Sequence, residues 1–213
     1  MKILNLYAGI GGNRKLWGGD HEITAVEIDK NIAAIYKDFY PNDNVIISDA
    51  HQYLLDNYED YDFIWSSPPC PTHSRFNFLN IVQNREIKYP DMKLYEEIII
   101  LKTFFTGKYC VENVISYYDP LLNPIESNSH YYWTNFYFPR KLNETRHIRA
   151  NDPQNSKLAT KFGIDLSNYN LDNRFKRTII NNCVHPEDGL YIFNRAFDII
   201  ENEKNHKQIG LFN

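Results

Sequence analysis

The run Lys2-Ile3-Leu4-Asn5-Leu6 leads directly into Tyr7-Ala8-Gly9-Ile10-Gly11-Gly12, and this junction constrains the fold more than any other stretch of the chain. Apolar residues followed at once by clustered glycines suit a buried strand that ends in a tight turn, where backbone can approach a nucleotide-like ligand with no Cβ in the way. Further strand-like runs follow at Ile23 to Glu27, Val45 to Ile47, Phe63 to Ser66 and Lys108 to Glu112, the first strand itself running from Lys2 to Tyr7. Helical stretches are predicted between them, at Asn13 to Trp17, Asn31 to Phe39, His51 to Asn57 and Asp91 to Phe105. In the last of these Met92, Tyr95, Ile99 and Leu101 are expected to share the buried face, with Pro90 just ahead of it. Strands alternating with helices imply βαβ units, hence an α/β fold with a Rossmann-like, doubly wound, mostly parallel sheet.

Two acids follow the glycines. Glu27 ends the second strand, eighteen residues beyond Gly9, where a carboxylate can bind ribose hydroxyls in folds of this kind. Asp49 follows the third strand. The dinucleotide fingerprint would require a third glycine where this chain has Arg14, and no P-loop Lys-Ser/Thr follows. The pattern fits S-adenosylmethionine better than NAD or a nucleoside triphosphate.

Directly after the fourth strand comes Ser66-Ser67-Pro68-Pro69-Cys70-Pro71-Thr72-His73-Ser74-Arg75. The prolines restrict the chain and hold one thiol in place. A thiolate adds readily to carbon 6 of a pyrimidine and is easily expelled afterwards, which makes Cys70 a candidate nucleophile. Arg75, His73 or a local helix N-terminus is expected to lower its pKa. Glu112-Asn113-Val114 closes the fifth strand, and a carboxyl group there can bond ring nitrogen 3 and the exocyclic amine of a cytosine.

Three cysteines without a CxxC pair, and seven scattered histidines without HExxH spacing, argue against a disulfide framework and against a metal site. No apolar run approaches the roughly 18 residues of a membrane span. The first residues lack a signal-peptide core, so a cytoplasmic location is expected, in a prokaryotic cell or a virus-infected host. The net charge is -4, yet residues 139–177 hold nine basic and four acidic side chains. Such a basic segment on an acidic body suggests local contact with phosphates.

Together these segments resemble the cytosine-5 DNA methyltransferase family over nearly the whole chain. Leu6 to Gly12 is similar to the family's first motif, Val26-Glu27-Ile28-Asp29 to its second and Ser48-Asp49-Ala50 to its third. Pro68-Pro69-Cys70 and Glu112-Asn113-Val114 resemble the nucleophile and glutamate motifs, and Asn182-Cys183-Val184-His185-Pro186 the last one. The resemblance implies a class I S-adenosylmethionine-dependent methyltransferase fold with a small irregular target-recognition lobe. It implies that Tyr7, Ala8, Gly9, Ile10, Gly11, Gly12, Ala50 and Pro69 line the donor site. Glu27 would bind the ribose, Ile28 pack on adenine, Asp49 hold the adenine amine, and Asn182 with Val184 the methionine end. Cys70 would add to an extruded cytosine beside Glu112, leaving S-adenosylhomocysteine as product. The chain departs from the family at Pro71, where most members carry Gln. It departs again at Asn128-Ser129-His130-Tyr131-Tyr132-Trp133, which keeps the aromatic end, as in animal de novo DNA methyltransferases, without the arginines. His130 or Arg75 is expected to stand in for them.

By the same resemblance residues 1–138 form the catalytic and donor-binding domain, 139–176 the target-recognition lobe, and 177–213 a segment returning to the catalytic domain; the residue pattern itself predicts a helix from about Asp188 to Glu203 in that segment. Arg140, Lys141, Arg146, Arg149, Lys157 and Lys161 are the expected DNA contacts, and a lobe this small should read a short site. The implied partner is double-stranded DNA, with no membrane and with a cognate restriction endonuclease as a further candidate; a monomer is expected. Three other readings stay open at this stage: a tRNA cytosine-5 methyltransferase, a thymidylate synthase-like enzyme acting on free pyrimidine nucleotides, and an inactive DNA-binding module of the same fold.

Overall fold

A computed structural model describes residues 1–83, 88–139 and 162–199. Seven strands form one sheet: β1 (Lys2–Leu6), β2 (Glu22–Glu27), β3 (Asn44–Ile47), β4 (Phe63–Ser66), β5 (Lys108–Val114), β6 (Ile125–Ser127) and β7 (His130–Thr134). Among the described residues six α-helices accompany them: α1 (Lys30–Phe39), α2 (Ala50–Asn57), α3 (Arg75–Val82), α4 (Lys93–Thr103), α5 (Asn173–Asn181) and α6 (Pro186–Ala196). The strand order is β3-β2-β1-β4-β5-β7-β6. The first five are mutually parallel, while β7 runs antiparallel to both β5 and β6. Chain direction across the sheet reverses between β1 and β4, the switch point where open α/β sheets bind ligands at the carboxyl ends of their strands.

Alternate residues supply the two faces. Leu4, Leu6, Val26, Ile64 and Val111 pack against Leu54 of α2 and Leu94, Tyr95, Ile98 and Leu101 of α4. Ile3, Ile23, Phe63, Trp65 and Cys110 pack on the other side against Trp17 and against Ile192 and Phe193 of α6. Burial on both faces explains why these strands read as almost continuous apolar runs. Carboxylates cap the helices that follow β2 and β3: Asp29 accepts from the Asn31 and Ile32 amides, and Asp49 from the His51 and Gln52 amides.

The alternation read from the sequence holds for all five parallel strands, and four differences are informative. Met92 and Ile99 are exposed, so the buried stripe of α4 is Leu94, Glu97, Ile98 and Leu101, spaced i, i+3, i+4, i+7 and interrupted by one acid. Helix α3 and the β6–β7 hairpin are additions that the sequence pattern does not announce. The hairpin turns at Asn128 and Ser129, which take φ values of 54° and 92°, positions where Asn-Gly is the usual signal. Helix α6 ends at Ala196 rather than near Glu203, with residues 200–213 outside the described part.

The boundary expected at 176/177 falls inside α5. Phe162, Ile164 and Leu166, from the expected lobe, pack with Ile10 and Ile35 of the expected catalytic domain and with Ile179 and Ile180 of the expected returning segment. Arg140, Lys141, Arg146, Arg149, Lys157 and Lys161 lie outside the described residues.

Candidate active site

The glycine turn is shaped by backbone that only part of it tolerates easily. Tyr7, Gly9 and Gly11 have φ of 54°, 55° and 76°; glycine accepts this region freely, tyrosine rarely. Glu27 clamps the turn, its Oε2 accepting from the Gly9 amide and its Oε1 from the Asp29 amide, both at 2.9 Å. Each oxygen retains a lone pair for a further donor. A Cβ on Gly9 would meet nothing within 4 Å, so the turn opens on free space there. Gly12, by contrast, is closed in: a Cβ would stand 2.6 Å from the Val184 carbonyl oxygen and 2.9 Å from Cys183 Cβ. Packing therefore brings the segment Asn182 to Val184 onto the glycine turn from the far end of the chain.

Around that open space lie groups suited to a nucleoside. Ile28 follows Glu27 with 69% of its surface exposed, an apolar face beside an acid. Asp49, half-exposed, uses one oxygen as the α2 cap and leaves the other 3.7 Å from Lys93 Nζ. Acceptors for ribose and adenine beside an exposed aliphatic side chain fit the adenosyl part of S-adenosylmethionine. Arg14, which occupies the dinucleotide glycine position, is buried in an ion pair with Asp43 at 2.9 Å and so serves as a strut under the turn.

Cys70 lies across the switch point. Trp65 Nε1 donates to Ser67 Oγ, Asn113 Nδ2 donates to the Pro68 carbonyl, both at 2.9 Å, and the Cys70 carbonyl accepts from the His73 and Ser74 amides at 3.0 Å. The loop is thus tied to β4 before it, to β5 beside it and to the turn that leads into α3. The thiol is partly exposed. Burial, and then the Glu112 carboxylate, push its pKa up, against a small lowering from a backbone hydrogen bond.

That overturns the expectation that Arg75 or His73 lowers the thiol pKa. His73 is buried, is held below the ordinary histidine value by burial, and has Nδ1 2.6 Å from the Tyr118 hydroxyl. Arg75 begins α3 and lines a cavity of about 410 Å³ with Phe78, Tyr117, Asp119 and Tyr131, where its charge acts on Tyr131. Neither side chain is among the groups that act on the Cys70 thiol.

Glu112 is 8% exposed and sits opposite Tyr132 of β7. Two residues on, Val114 pairs with His130, and this diagonal puts His130 Nε2 3.5 Å from Glu112 Oε1. A thiol, a carboxylate and an imidazole are therefore gathered at one edge of the sheet. The set can carry a nucleophile and pass a proton. Among the described residues no group of His, Cys, Asp and Glu is arranged to hold a metal ion, and no helix is long and apolar enough to cross a membrane.

The most deeply buried acid among the described residues escaped sequence reasoning. Glu97 of α4, with no exposed surface, bonds Tyr7, His51 and Ser66. Its signal was available, since an acid on the apolar stripe of a helix demands buried partners.

The sequence profile of the C-5 cytosine-specific DNA methylase family matches residues 1–115. The comparison with curated proteins returns no match. Among solved structures the chain is similar to the methyltransferase yhhF from Escherichia coli, at 16% identity and a TM-score of 0.43, over 62% of this chain and 73% of that one. It is similar to an S-adenosylmethionine-dependent methyltransferase from Agrobacterium tumefaciens at 15% identity and a TM-score of 0.40, over 59% of this chain and 40% of that one. It is also similar to DNMT2 from Spodoptera frugiperda at 31% identity and a TM-score of 0.36, over 53% of this chain and 35% of that one. The chain thus spans well under half the length of the last two. The profile match covers more than half of the chain, from β1 through the glycine turn and the Pro-Pro-Cys loop to the end of β5, and the chain belongs to the C-5 cytosine-specific DNA methylase family.

Proposed function

We propose that the protein methylates carbon 5 of cytosine within a short double-stranded DNA site, with Cys70 as nucleophile and Glu112 as its partner. The observation that carries this reading is the Cys70 thiol held beside the Glu112 carboxylate at the edge of the sheet, across the switch point from the glycine turn.

S-adenosylmethionine, the family's methyl donor, supplies an electrophilic methyl group when bound. Tyr7 to Gly12, Ala50 and Pro69 would surround it, with Glu27 at the ribose, Ile28 on the adenine face, Asp49 at the adenine amine, and Asn182 and Val184 at the methionine end. The exposure of Ile28 and the packing of Val184 on Gly12 support that arrangement.

In the free protein burial, and after it the neighbouring Glu112 carboxylate, oppose ionisation of the thiol. Passing the thiol proton to Glu112 removes the carboxylate's share of that opposition and leaves a carboxylic acid able to donate to cytosine nitrogen 3. Cys70 Sγ then bonds to carbon 6, and carbon 5 becomes nucleophilic. Once carbon 5 has gained the methyl group, loss of its proton to water breaks the sulfur–carbon bond and frees the thiolate, and the nitrogen 3 proton returns through Glu112 to the sulfur. His130, 3.5 Å from Glu112, is placed to exchange the proton of that carboxyl group. DNA would be held by the basic residues of 140–161, and binding should weaken steeply with salt despite the net charge of -4.

Side-by-side assays with labelled S-adenosylmethionine, double-stranded DNA, tRNA and free cytidine nucleotide test the reading. DNA alone should take up label, at a site that bisulfite sequencing then identifies. Uptake confined to tRNA or to the free nucleotide would refute the DNA assignment. Cys70→Ala should abolish uptake and leave S-adenosylhomocysteine binding within about twofold of the parent. Turnover near the parent rate in that variant would remove Cys70 from the mechanism.

A further inference from the structure

The chemistry above makes no use of Glu97, yet three segments at the carboxyl edge of the sheet close on its carboxylate. Tyr7 donates its hydroxyl to Oε1 at 2.7 Å, Ser66 donates to Oε2 at 2.6 Å, and His51 Nδ1 stands 3.0 Å from Oε1. The other ring nitrogen of His51 is 3.2 Å from Glu96. Glu97, Ser66 and His51 are all buried.

Each partner belongs to a different part of the active site. Tyr7 is the first residue of the glycine turn, held at φ 54°. A non-glycine residue persists in that region only where its surroundings over-determine it, and the far end of this side chain is anchored on Glu97. Ser66 is the last residue of β4, four positions before Cys70. His51 lies in the first turn of α2, the helix capped by Asp49. Among the described residues the partners of Glu97 all stand at the carboxyl edge of the sheet, and α4 brings the carboxylate to the switch point between β1 and β4.

We propose that Glu97 is a positioning residue that sets the donor turn and the nucleophile loop at a fixed separation, through Tyr7 on one side and Ser66 on the other. The proposal rests on the assignment of those two segments to donor and nucleophile. Glu97 has no exposed surface, so its effect reaches the thiol through the serine arm and the donor site through the tyrosine arm and through His51 beneath Asp49. Cutting the tyrosine arm should disturb the donor site alone, cutting the serine arm the thiol alone, and neutralising the carboxylate both. A polar network that merely stabilised the core would lower the melting temperature without separating the two sites.

The full-length protein and its Tyr7→Phe, Ser66→Ala and Glu97→Gln variants test this with two readouts independent of turnover: S-adenosylhomocysteine affinity by calorimetry, and the rate of Cys70 alkylation by iodoacetamide followed by mass spectrometry. Tyr7→Phe should weaken S-adenosylhomocysteine binding about tenfold and leave alkylation unchanged. Ser66→Ala should change the alkylation rate by roughly threefold or more and leave binding unchanged. Glu97→Gln should shift both. A Glu97→Gln protein that melts earlier yet keeps both values overturns the proposal; if that variant does not fold, single-arm variants that leave both readouts unchanged overturn it equally. A parent protein that binds S-adenosylhomocysteine but methylates no cytosine would refute the proposed function and leave this separation of arms standing. A parent that does not bind it at all would overturn both.

Discussion

Asn113 Nδ2 donates to the Pro68 carbonyl at 2.9 Å, so the strand that carries Glu112 also holds the loop that carries Cys70. Adjacent residues of a strand point to opposite faces, and β5 uses this to present Glu112 on one side and the strap on the other. Thiol and carboxylate cannot drift apart without breaking that bond.

Replacing Asn113 by Ala leaves the Pro68 carbonyl without its donor at a buried position, a loss of about 1–3 kcal/mol. Urea unfolding should show a lower midpoint, and methyl transfer should fall even at temperatures where the variant is folded. Full activity in a destabilised variant would show that the strap serves stability alone.

The Cys70 thiol should titrate above the ordinary cysteine value, because burial and the Glu112 carboxylate both disfavour the thiolate. The pH dependence of its alkylation reports this directly. Glu112→Gln removes the opposing charge, so the alkylation curve should move to lower pH while methyl transfer is lost. An unshifted curve would mean that the carboxylate does not act on the sulfur.

Two glycines of one turn should respond differently to Ala. At Gly12 the new methyl group meets the Val184 carbonyl and Cys183, and overpacking of this kind costs about 1–3 kcal/mol, read as an earlier melting transition. At Gly9 no atom lies within 4 Å, so the cost is backbone strain at φ 55°, about 1–2 kcal/mol, with a marked loss of S-adenosylhomocysteine affinity as the Cβ enters the open space. Equal affinity for the parent and Gly9→Ala would place the ligand elsewhere.

Stability should depend on the charge of His51. Its pKa is raised above the ordinary value, first by the hydrogen bond to Glu97 and then by the charges of Glu97 and Glu96, against burial and Lys93. A raised folded-state pKa means that the native protein holds this proton more tightly than the unfolded chain. Its stabilisation is complete below the unfolded value of about 6.5 and is lost as pH rises through the folded one. Unfolding free energy measured across that interval should fall with pH in the parent and lose this slope in His51→Gln.

Much of the site is legible in the chain itself. Strand β1 forms as expected, the glycine turn, Glu27, Asp49 and the Pro-Pro-Cys loop lie at the carboxyl ends of strands as expected from sequence, and Glu112 stands two residues inside the end of β5, which runs on to Val114. These features are local, because periodicity marks a strand and a glycine, proline or acid marks the turn or loop at its end. The stripe of α4 is harder to read, because choosing Met92 and Ile99 for the buried face hides the acid at Glu97. The β6–β7 hairpin escapes notice because Asn128-Ser129 makes a turn without the glycine that usually announces one.

The order of motifs along the chain therefore determined the parallel sheet and which loops face its carboxyl edge. Only the folded structure decided which side chains meet there: His130 beside Glu112, Arg75 turned to Tyr131, Val184 on Gly12, and three segments on Glu97. Such contacts join residues far apart in sequence, and they depend on strand register, on helix phase and on which of two buried faces a side chain takes. A shift of one residue in a strand would reverse every one of those faces while leaving the local pattern of residues the same.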